Sequence, residues 1–162
     1  MSLDPLYITL AKFPERVDSW NSLTRHCMKH KKFNIVKDFP DLPWVWDIIS
    51  RRAPMELIEY FSDKELDWSG IDKNPNFKIE MVRKYPQKDW DWYDLLDHPQ
   101  FKVELVEEFP DKRWNWYELS GHPELELRIV EKFQEKGWNW DEIIKHKDFN
   151  IEFAIILLAT GS

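Results

Sequence analysis

The chain has 162 residues, of which 43% are hydrophobic and 15% aromatic, and its formal net charge is −7 at pH 7. This length fits one domain with an ample core. The negative net charge argues against a dedicated nucleic-acid-binding protein, which usually carries a strongly basic surface. The single cysteine, Cys27, excludes an intramolecular disulfide. Because the sequence has no long apolar run and no signal-peptide pattern, we expect a soluble intracellular protein that does not contact a membrane.

The ten tryptophans occupy one recurring position along the chain. In the N-terminal half this unit is less regular, and its two tryptophan positions hold Asp18 and Trp20, Trp44 and Trp46, and Leu66 and Trp68. In the C-terminal half W-x-W pairs return every 24 residues, at Trp90 and Trp92, Trp114 and Trp116, and Trp138 and Trp140. We count six repeats and a seventh half-repeat that begins at Phe149. Such a period predicts an array of stacked units.

Each repeat is predicted to begin with a helix of about ten residues. In the fifth repeat, Phe101, Leu105 and Phe109 fall on one broad helical face. A proline at the first helical position is expected to open this helix, and a proline directly after the last aromatic residue to end it. These prolines are Pro75, Pro99 and Pro123 at the start, and Pro86 and Pro110 at the end.

A shorter helix is predicted to follow the W-x-W pair. In W-N-W-Y-E-L, Asn115 is a favourable N-cap and Glu118 completes a capping box. Trp114 and Leu119 take the two positions of a hydrophobic staple, while Trp116 begins the helix and packs on its neighbours. The W-x-W pair therefore has a structural explanation that requires no ligand.

One such unit cannot bury its apolar faces alone, whereas stacked copies share a core. We therefore expect an all-α fold over residues 1–162, in which helix-loop-helix repeats of about 24 residues form a solenoid-like stack within a single domain. Leucine-rich repeats have a similar period but need a short strand that this pattern lacks. Tetratricopeptide, ankyrin and HEAT repeats are longer.

A basic cluster lies between the first two repeats. Residues 1–52 hold nine Lys and Arg against six Asp and Glu, whereas residues 53–162 hold 14 against 24. The cluster consists of Arg25, Lys29, Lys31 and Lys32, to which Arg51 and Arg52 are candidate additions. The simpler interpretation is a solvated loop between repeats. The alternative is a phosphate or nucleic-acid patch or a transport signal.

Four histidines share one repeat position, at His26, His98, His122 and His146. Because packed helices lie about 8 to 10 Å apart, one histidine per repeat does not place several ligands around one metal ion. We expect these histidines to cap or pack loops, and no metal or cofactor is predicted.

The sequence contains no known catalytic motif, and its four glycines are too scattered to cradle a phosphate. A Cys–His pair at Cys27 is less favoured than a buried thiol. Lys88, Lys112 and Lys136 share one loop position and would form a ladder along one edge, although loop solvation explains them equally well. We therefore expect a protein without enzymatic activity.

The last segment breaks the pattern because it is apolar nearly all round. Terminal repeats normally present a polar outer face, so this segment is a candidate dimer interface. Its members are Phe153, Ile155, Ile156, Leu157 and Leu158. We expect a homodimer, and the alternative is that the helix folds back onto the last groove of its own chain.

The repeated unit F-x-x-x-x-V-x-x-F-P-x-x-x-W-[ND]-W-x-x-L resembles the tryptophan-repeat proteins of giant DNA viruses, in particular the marseillevirus type. This resemblance implies a viral protein without established enzymatic activity that acts in the host cytoplasm or nucleus or is packaged in the virion. The sequence thus predicts a non-catalytic interaction module or scaffold that associates with itself and with an unidentified protein partner. The alternative is a nucleic-acid-associated protein that uses the basic cluster at residues 25–32.

Overall fold

The computed structural model describes residues 4–160, and within that range every regular element is helical. The side chains of Leu157, Leu158 and Thr160 lie outside the described part. This confirms the all-α class for the described residues. Contacts divide the chain into two compact units, Met1–Asp91 and Trp92–Ser162. The expectation of one domain over residues 1–162 stays a prediction.

From residue 4 onward, where the structure describes it, unit 1 holds six α-helices and two short 3-10 helices. The α-helices are α1 (Pro5–Lys12), α2 (Trp20–Lys29), α3 (Phe33–Asp38), α4 (Trp46–Arg52), α5 (Met55–Tyr60) and α6 (Glu80–Lys84). The 3-10 helices are Pro14–Arg16 and Trp68–Lys73. Their buried faces form a core that includes Val36, Ile49, Leu57, Ile58, Phe61 and Ile71.

In its described residues, 92–160, unit 2 holds five α-helices after a 3-10 helix. In chain order these are the 3-10 helix Asp94–Asp97, α7 (Glu104–Glu108), α8 (Trp116–Leu119), α9 (Leu127–Lys132), α10 (Trp140–Ile143) and α11 (Ile151–Thr160). The fully buried side chains include Leu105, Val106, Leu119, Ile129, Val130 and Ile143.

The second tryptophan of the W-x-W position begins a helix in most repeats, as predicted. It is the first residue of α2, α4, α8, α10 and the 3-10 helix Trp68–Lys73. Asn115 caps α8, since its Oδ1 accepts a hydrogen bond from the Glu118 amide at 3.2 Å, and its Nδ2 donates to the Glu118 carboxylate. These bonds confirm the N-cap, and the pair is only like a capping box because the Glu118 carboxylate meets the Asn115 side chain and not its backbone amide.

The first helix of each repeat is shorter than predicted. In the fifth repeat α7 spans Glu104–Glu108 and does not start at Pro99. The segment after His98 forms a turn instead, because the Phe101 amide donates to the His98 carbonyl at 2.8 Å and the Gln100 amide to His98 Nδ1 at 3.1 Å. Proline is favoured at the second position of such a turn. A His-Pro pair therefore closes a loop here and does not open a helix.

The aligned histidines cap these turns, which confirms the loop-capping interpretation at three of the four positions. His122 Nδ1 accepts the Glu124 amide at 3.1 Å, and His146 Nδ1 accepts the Asp148 amide at 3.2 Å, in the same way as His98. His26 differs because it lies within α2, with its ring centroid 4.4 Å from that of His30.

Neighbouring repeats meet through pairs of aromatic rings, which we call junctions. In unit 2, Trp92 meets Trp114 with ring centroids 5.1 Å apart and Trp116 meets Trp138 at 5.2 Å, both edge to face. In unit 1 the corresponding pairs are Trp20 with Trp44, Trp46 with Phe61 and Trp68 with Trp90. Such pairs add about 0.5–1.5 kcal/mol beyond the area that they bury. The second tryptophan of one repeat thus packs on the next repeat, as expected.

The first tryptophan is anchored by a hydrogen bond that the pattern did not reveal. Its Nε1 donates at 2.8 Å to the carbonyl of the aromatic residue five positions earlier. These pairs are Trp44 with Phe39, Trp90 with Tyr85, Trp114 with Phe109 and Trp138 with Phe133. The bond satisfies the one polar atom of a buried indole.

Three buried hydroxyls, Thr24, Ser50 and Ser120, link one repeat to the next, and sequence reasoning missed them. Each lies four residues after a second tryptophan, and its Oγ donates to that tryptophan's carbonyl. Each also accepts the amide of the middle residue of the next W-x-W position, at 2.8 to 3.2 Å. The sequence did contain one signal for this link, because a small hydroxyl residue recurs four positions after the second tryptophan in these repeats.

Candidate interaction surfaces

The predicted lysine ladder is part of the junctions. Lys88 Nζ lies 5.1 Å from the centroid of Trp68, Lys112 Nζ 5.2 Å from that of Trp92, and Lys136 Nζ 5.6 Å from that of Trp116. An ammonium group over an indole face is a cation–π contact. Each lysine therefore covers the second tryptophan of the preceding repeat, so the ladder does not form a separate binding edge.

Trp140 stands apart from the other second tryptophans. Trp68 and Trp92 are each 6% exposed and the second tryptophans of the other junctions, Trp20, Trp46 and Trp116, are half-buried, whereas Trp140 is 44% exposed. The position 24 residues after Trp138 is Ser162, so the next first-tryptophan position offers no indole to meet it. One helical turn beyond Trp140, Ile144 is 56% exposed. The sixth repeat therefore presents an open junction face.

The apolar segment at α11 is only partly an exposed surface. Ile155 and Ile156 are exposed, as is Ile151 at the start of the helix. Phe153 is buried, and its ring lies 5.8 Å from that of Phe149. The inclusion of Phe153 in the candidate dimer interface is therefore corrected, because this ring belongs to the core of unit 2. The side chains of Leu157 and Leu158 lie outside the described residues.

The basic cluster is divided by the fold. Arg25 and Lys29 line a groove of about 480 Å³ together with Arg51 and Arg52. Arg51 is engaged there by carboxylates, at 2.9 Å from Asp47 and 3.2 Å from Asp67. The structure thus brings together the two arginines that end α4 and half of the predicted cluster. We call this site the basic groove.

The other half of the cluster ends α2. Lys31 has a φ of 55°, and the Lys31 and Lys32 amides donate to the Met28 and Cys27 carbonyls. These two bonds form a Schellman motif, in which glycine usually takes the left-handed position that Lys31 holds. Lys32 Nζ also pairs with Asp4 at 2.7 Å and lowers the pKa of that carboxyl. Lys31 and Lys32 therefore have a structural role that does not depend on a ligand.

Cys27 is fully buried in α2, and burial raises its pKa to about 11 from an ordinary value near 9.0. The thiol consequently stays protonated at neutral pH, which favours the buried-thiol interpretation over a Cys–His pair.

We expect Cys27 in the native protein to react with iodoacetamide at least tenfold more slowly at pH 7.5 than in the chain unfolded by guanidinium. The raised pKa also contributes stability below pH 9 that is lost as the pH rises through 11. Mass spectrometry at timed intervals measures the labelling. Equal rates in the native and unfolded chains would contradict this account.

Among the residues that the structure describes, no group of three His, Cys, Asp or Glu side chains is placed to hold a metal ion. Over the same residues, no helix is both long and apolar enough to cross a bilayer. No known protein family matches the chain, and neither a curated protein nor a solved structure does.

Proposed function

We propose that the chain is a non-catalytic interaction module that associates with itself through the open junction face at Trp140. The observation that carries this proposal is the 44% exposure of Trp140, an indole whose counterparts at earlier junctions are covered by the next repeat. Large apolar side chains at the surface of a soluble protein mark interaction sites when they occur together. Trp140 has Ile144 on the next helical turn, and α11 separately exposes Ile155 and Ile156.

The proposal includes the architecture. Junctions that recur from repeat to repeat within each unit support a solenoid-like stack of helix-loop-helix repeats. In such an array each repeat contacts only its neighbours, and an apolar face that no neighbour covers needs a capping surface or a partner. The face of the sixth repeat at Trp140 and Ile144 is exposed and apolar. Self-association is the simplest way to cover it.

The W-x-W pattern also supports assignment to the giant-virus tryptophan-repeat proteins, in which case the module acts in the infected cell or in the virion. A pull-down from infected cells would test this part of the proposal. We expect it to recover viral or host proteins with the unchanged chain and to lose them with Trp140→Ser.

Analytical ultracentrifugation of the full chain between 1 and about 100 μM tests self-association. We expect the mass to rise above the 19.8 kDa of one chain as the concentration increases. Trp140→Ser is expected to raise the apparent Kd at least tenfold, because a large apolar anchor is lost. Tyr117→Ser is the matched control, since Tyr117 is 65% exposed on the preceding short helix and forms no junction. A constant 19.8 kDa for the unchanged chain would contradict the proposal.

The basic groove supports a second candidate function, the binding of a nucleic-acid backbone. Arg25, Lys29 and Arg52 are exposed around it, and cationic side chains that neutralise phosphates bind nucleic acids in a salt-dependent way.

We expect Arg52→Glu to weaken the binding of single-stranded RNA at low salt by about tenfold, because one phosphate contact is lost and one repulsion added. Lys31→Glu makes the same change of charge outside the groove and should have a much smaller effect. Gel shifts at several salt concentrations measure this difference. If the two variants lose the same RNA affinity, or if the unchanged chain does not shift RNA at low salt, the basic groove is not a nucleic-acid site.

A further inference from the structure

We infer that the open junction face at Trp140 receives the first repeat of a second copy, with Phe13 and Arg16 packed on the indole. This inference rests on the proposed self-association and specifies which surface of the partner is used. The occupant is identified by the chemistry of the junctions themselves.

Three groups cover a second tryptophan in the junctions of unit 2. Trp92 is met by Trp114, by the ring of Phe109 at 5.4 Å and by the ammonium of Lys112 at 5.2 Å. Trp116 is met by Trp138, by the ring of Phe133 at 5.5 Å and by Lys136 at 5.6 Å. A complete junction thus uses an indole, an aromatic ring five residues before it and a cation three residues after that ring.

Unit 1 repeats this arrangement around Trp68, which is met by Trp90, Tyr85 and Lys88. The members of the set vary between junctions. Trp46 meets Phe61 in a repeat whose first tryptophan position holds Leu66, whereas Trp20 meets the indole of Trp44 while the ring of Phe39 packs on Tyr7. An aromatic ring in the Phe109 position can therefore meet a second tryptophan without an indole.

The seventh half-repeat supplies none of these groups to Trp140. Counted from Phe149, the aromatic position holds Leu157, the cation position holds Thr160 and the first-tryptophan position holds Ser162. Because these residues carry neither a ring nor a positive charge, this segment cannot complete the junction.

The first repeat presents the missing pair on its surface. Phe13 occupies the aromatic position and Arg16 the cation position, with the guanidinium carbon 4.3 Å from the ring centroid. Phe13 is 39% exposed, whereas its counterparts Phe61 and Phe133 are 2% and 9% exposed. The 3-10 helix Pro14–Arg16 fixes their spacing, since the Arg16 amide donates to the Phe13 carbonyl at 3.0 Å. In the free chain the guanidinium therefore lies over the face of the Phe13 ring, and in the proposed contact it packs on the indole of Trp140.

The two surfaces of the proposed contact are different parts of the chain, because Phe13 and Arg16 lie in the first repeat and Trp140 in the sixth. The proposed contact is therefore heterologous, so each copy offers one donor and one acceptor surface, and association continues into rings or open chains unless a closed dimer forms.

A mixing experiment with two full-length variants tests this inference. Trp140→Ser removes the acceptor, and Phe13→Ser combined with Arg16→Glu removes the donor. We expect each variant alone to sediment as a monomer. Mixed in equal amounts, they should form a heterodimer and nothing larger, because one intact donor and one intact acceptor remain. Circular dichroism checks that both variants are folded, and Ile8→Ser, 41% exposed outside the predicted contact, is a control expected to associate normally.

Three results would overturn the inference, and they differ in whether the proposed self-association would survive. If the donor variant alone still associates like the unchanged chain, the contact joins two Trp140 faces, and the proposed self-association survives. If the two folded variants are monomeric alone but do not combine, the donor and acceptor are not partners. A monomeric unchanged chain would overturn both the inference and the proposed function.

Discussion

Trp114→Ala is expected to lower the free energy of unfolding by about 3–5 kcal/mol. The indole is 5% exposed, packs edge to face on Trp92 and donates its Nε1 hydrogen bond to the Phe109 carbonyl. Its removal leaves a large cavity at a junction between repeats, and it also exposes the Trp92 face to which Lys112 is bound. Chemical denaturation followed by circular dichroism measures the change.

Trp140→Ala is the matched control for this substitution, because it removes the same side chain from the open junction face. At concentrations where the chain is monomeric, we expect it to cost less than about 1 kcal/mol, since the indole is already 44% exposed. Equal losses of stability at Trp114 and Trp140 would contradict the distinction between covered and open junctions.

Asn74→Ala is expected to cost about 2–4 kcal/mol. Asn74 is 3% exposed, and its Nδ2 donates at 2.8 Å to the carbonyls of both Ser50 and Ala53. Its Oδ1 accepts the Asn76 amide at 2.9 Å and so caps the turn. Alanine leaves two buried carbonyls without these donors, and each such loss costs about 1–3 kcal/mol. Urea denaturation measures the effect.

A histidine at this position tests whether Asn74 has the role of the aligned histidines. At the same place in the sixth-to-seventh repeat turn, His146 caps with Nδ1 while its Nε2 lies 3.1 Å from the Leu125 carbonyl. Asn74→His should therefore retain about half of the stability that Asn74→Ala loses. If alanine and histidine are equally destabilising, or if alanine costs less than about 0.5 kcal/mol, the shared role is refuted.

Features that depend on neighbouring residues in the sequence were predictable. The helix starts at Trp116 and Trp140 follow from N-cap chemistry at Asn115 and Asn139, and both caps are present. Three of the four aligned histidines were correctly assigned to loops, at His98, His122 and His146, whereas the fourth lies within α2. Local hydrogen bonds of this kind require only a spacing of two or three residues.

The lengths of the first helices could not be derived in the same way. A His-Pro pair occurs both at helix starts and in turns. At His98 the turn is stabilised by a hydrogen bond that the Gln100 amide donates to the histidine ring. Because intrinsic helix propensities are small, a few local hydrogen bonds are enough to set where α7 starts. The five residues 99–103 that the pattern added to the start of α7 therefore lie outside the helix.

The candidate surfaces were harder to predict because they depend on which distant residues meet. The pattern placed Arg25, Lys29, Lys31 and Lys32 together, yet the fold gives two of them to the basic groove and two to the end of α2. The apolar character of α11 was evident, but the burial of Phe153 was not. Trp140 looked like every other tryptophan in the repeat. Only the packing of its neighbours distinguishes it.

The central claim is that Trp140 becomes covered when copies of the chain meet. Fluorine NMR of the chain labelled with 5-fluorotryptophan tests this directly, with the Trp140 resonance assigned from Trp140→Ser. As the concentration rises through the range in which the mass increases, we expect the Trp140 resonance to shift while that of the buried Trp114 stays in place. An increase in mass without any change at Trp140 would contradict the account.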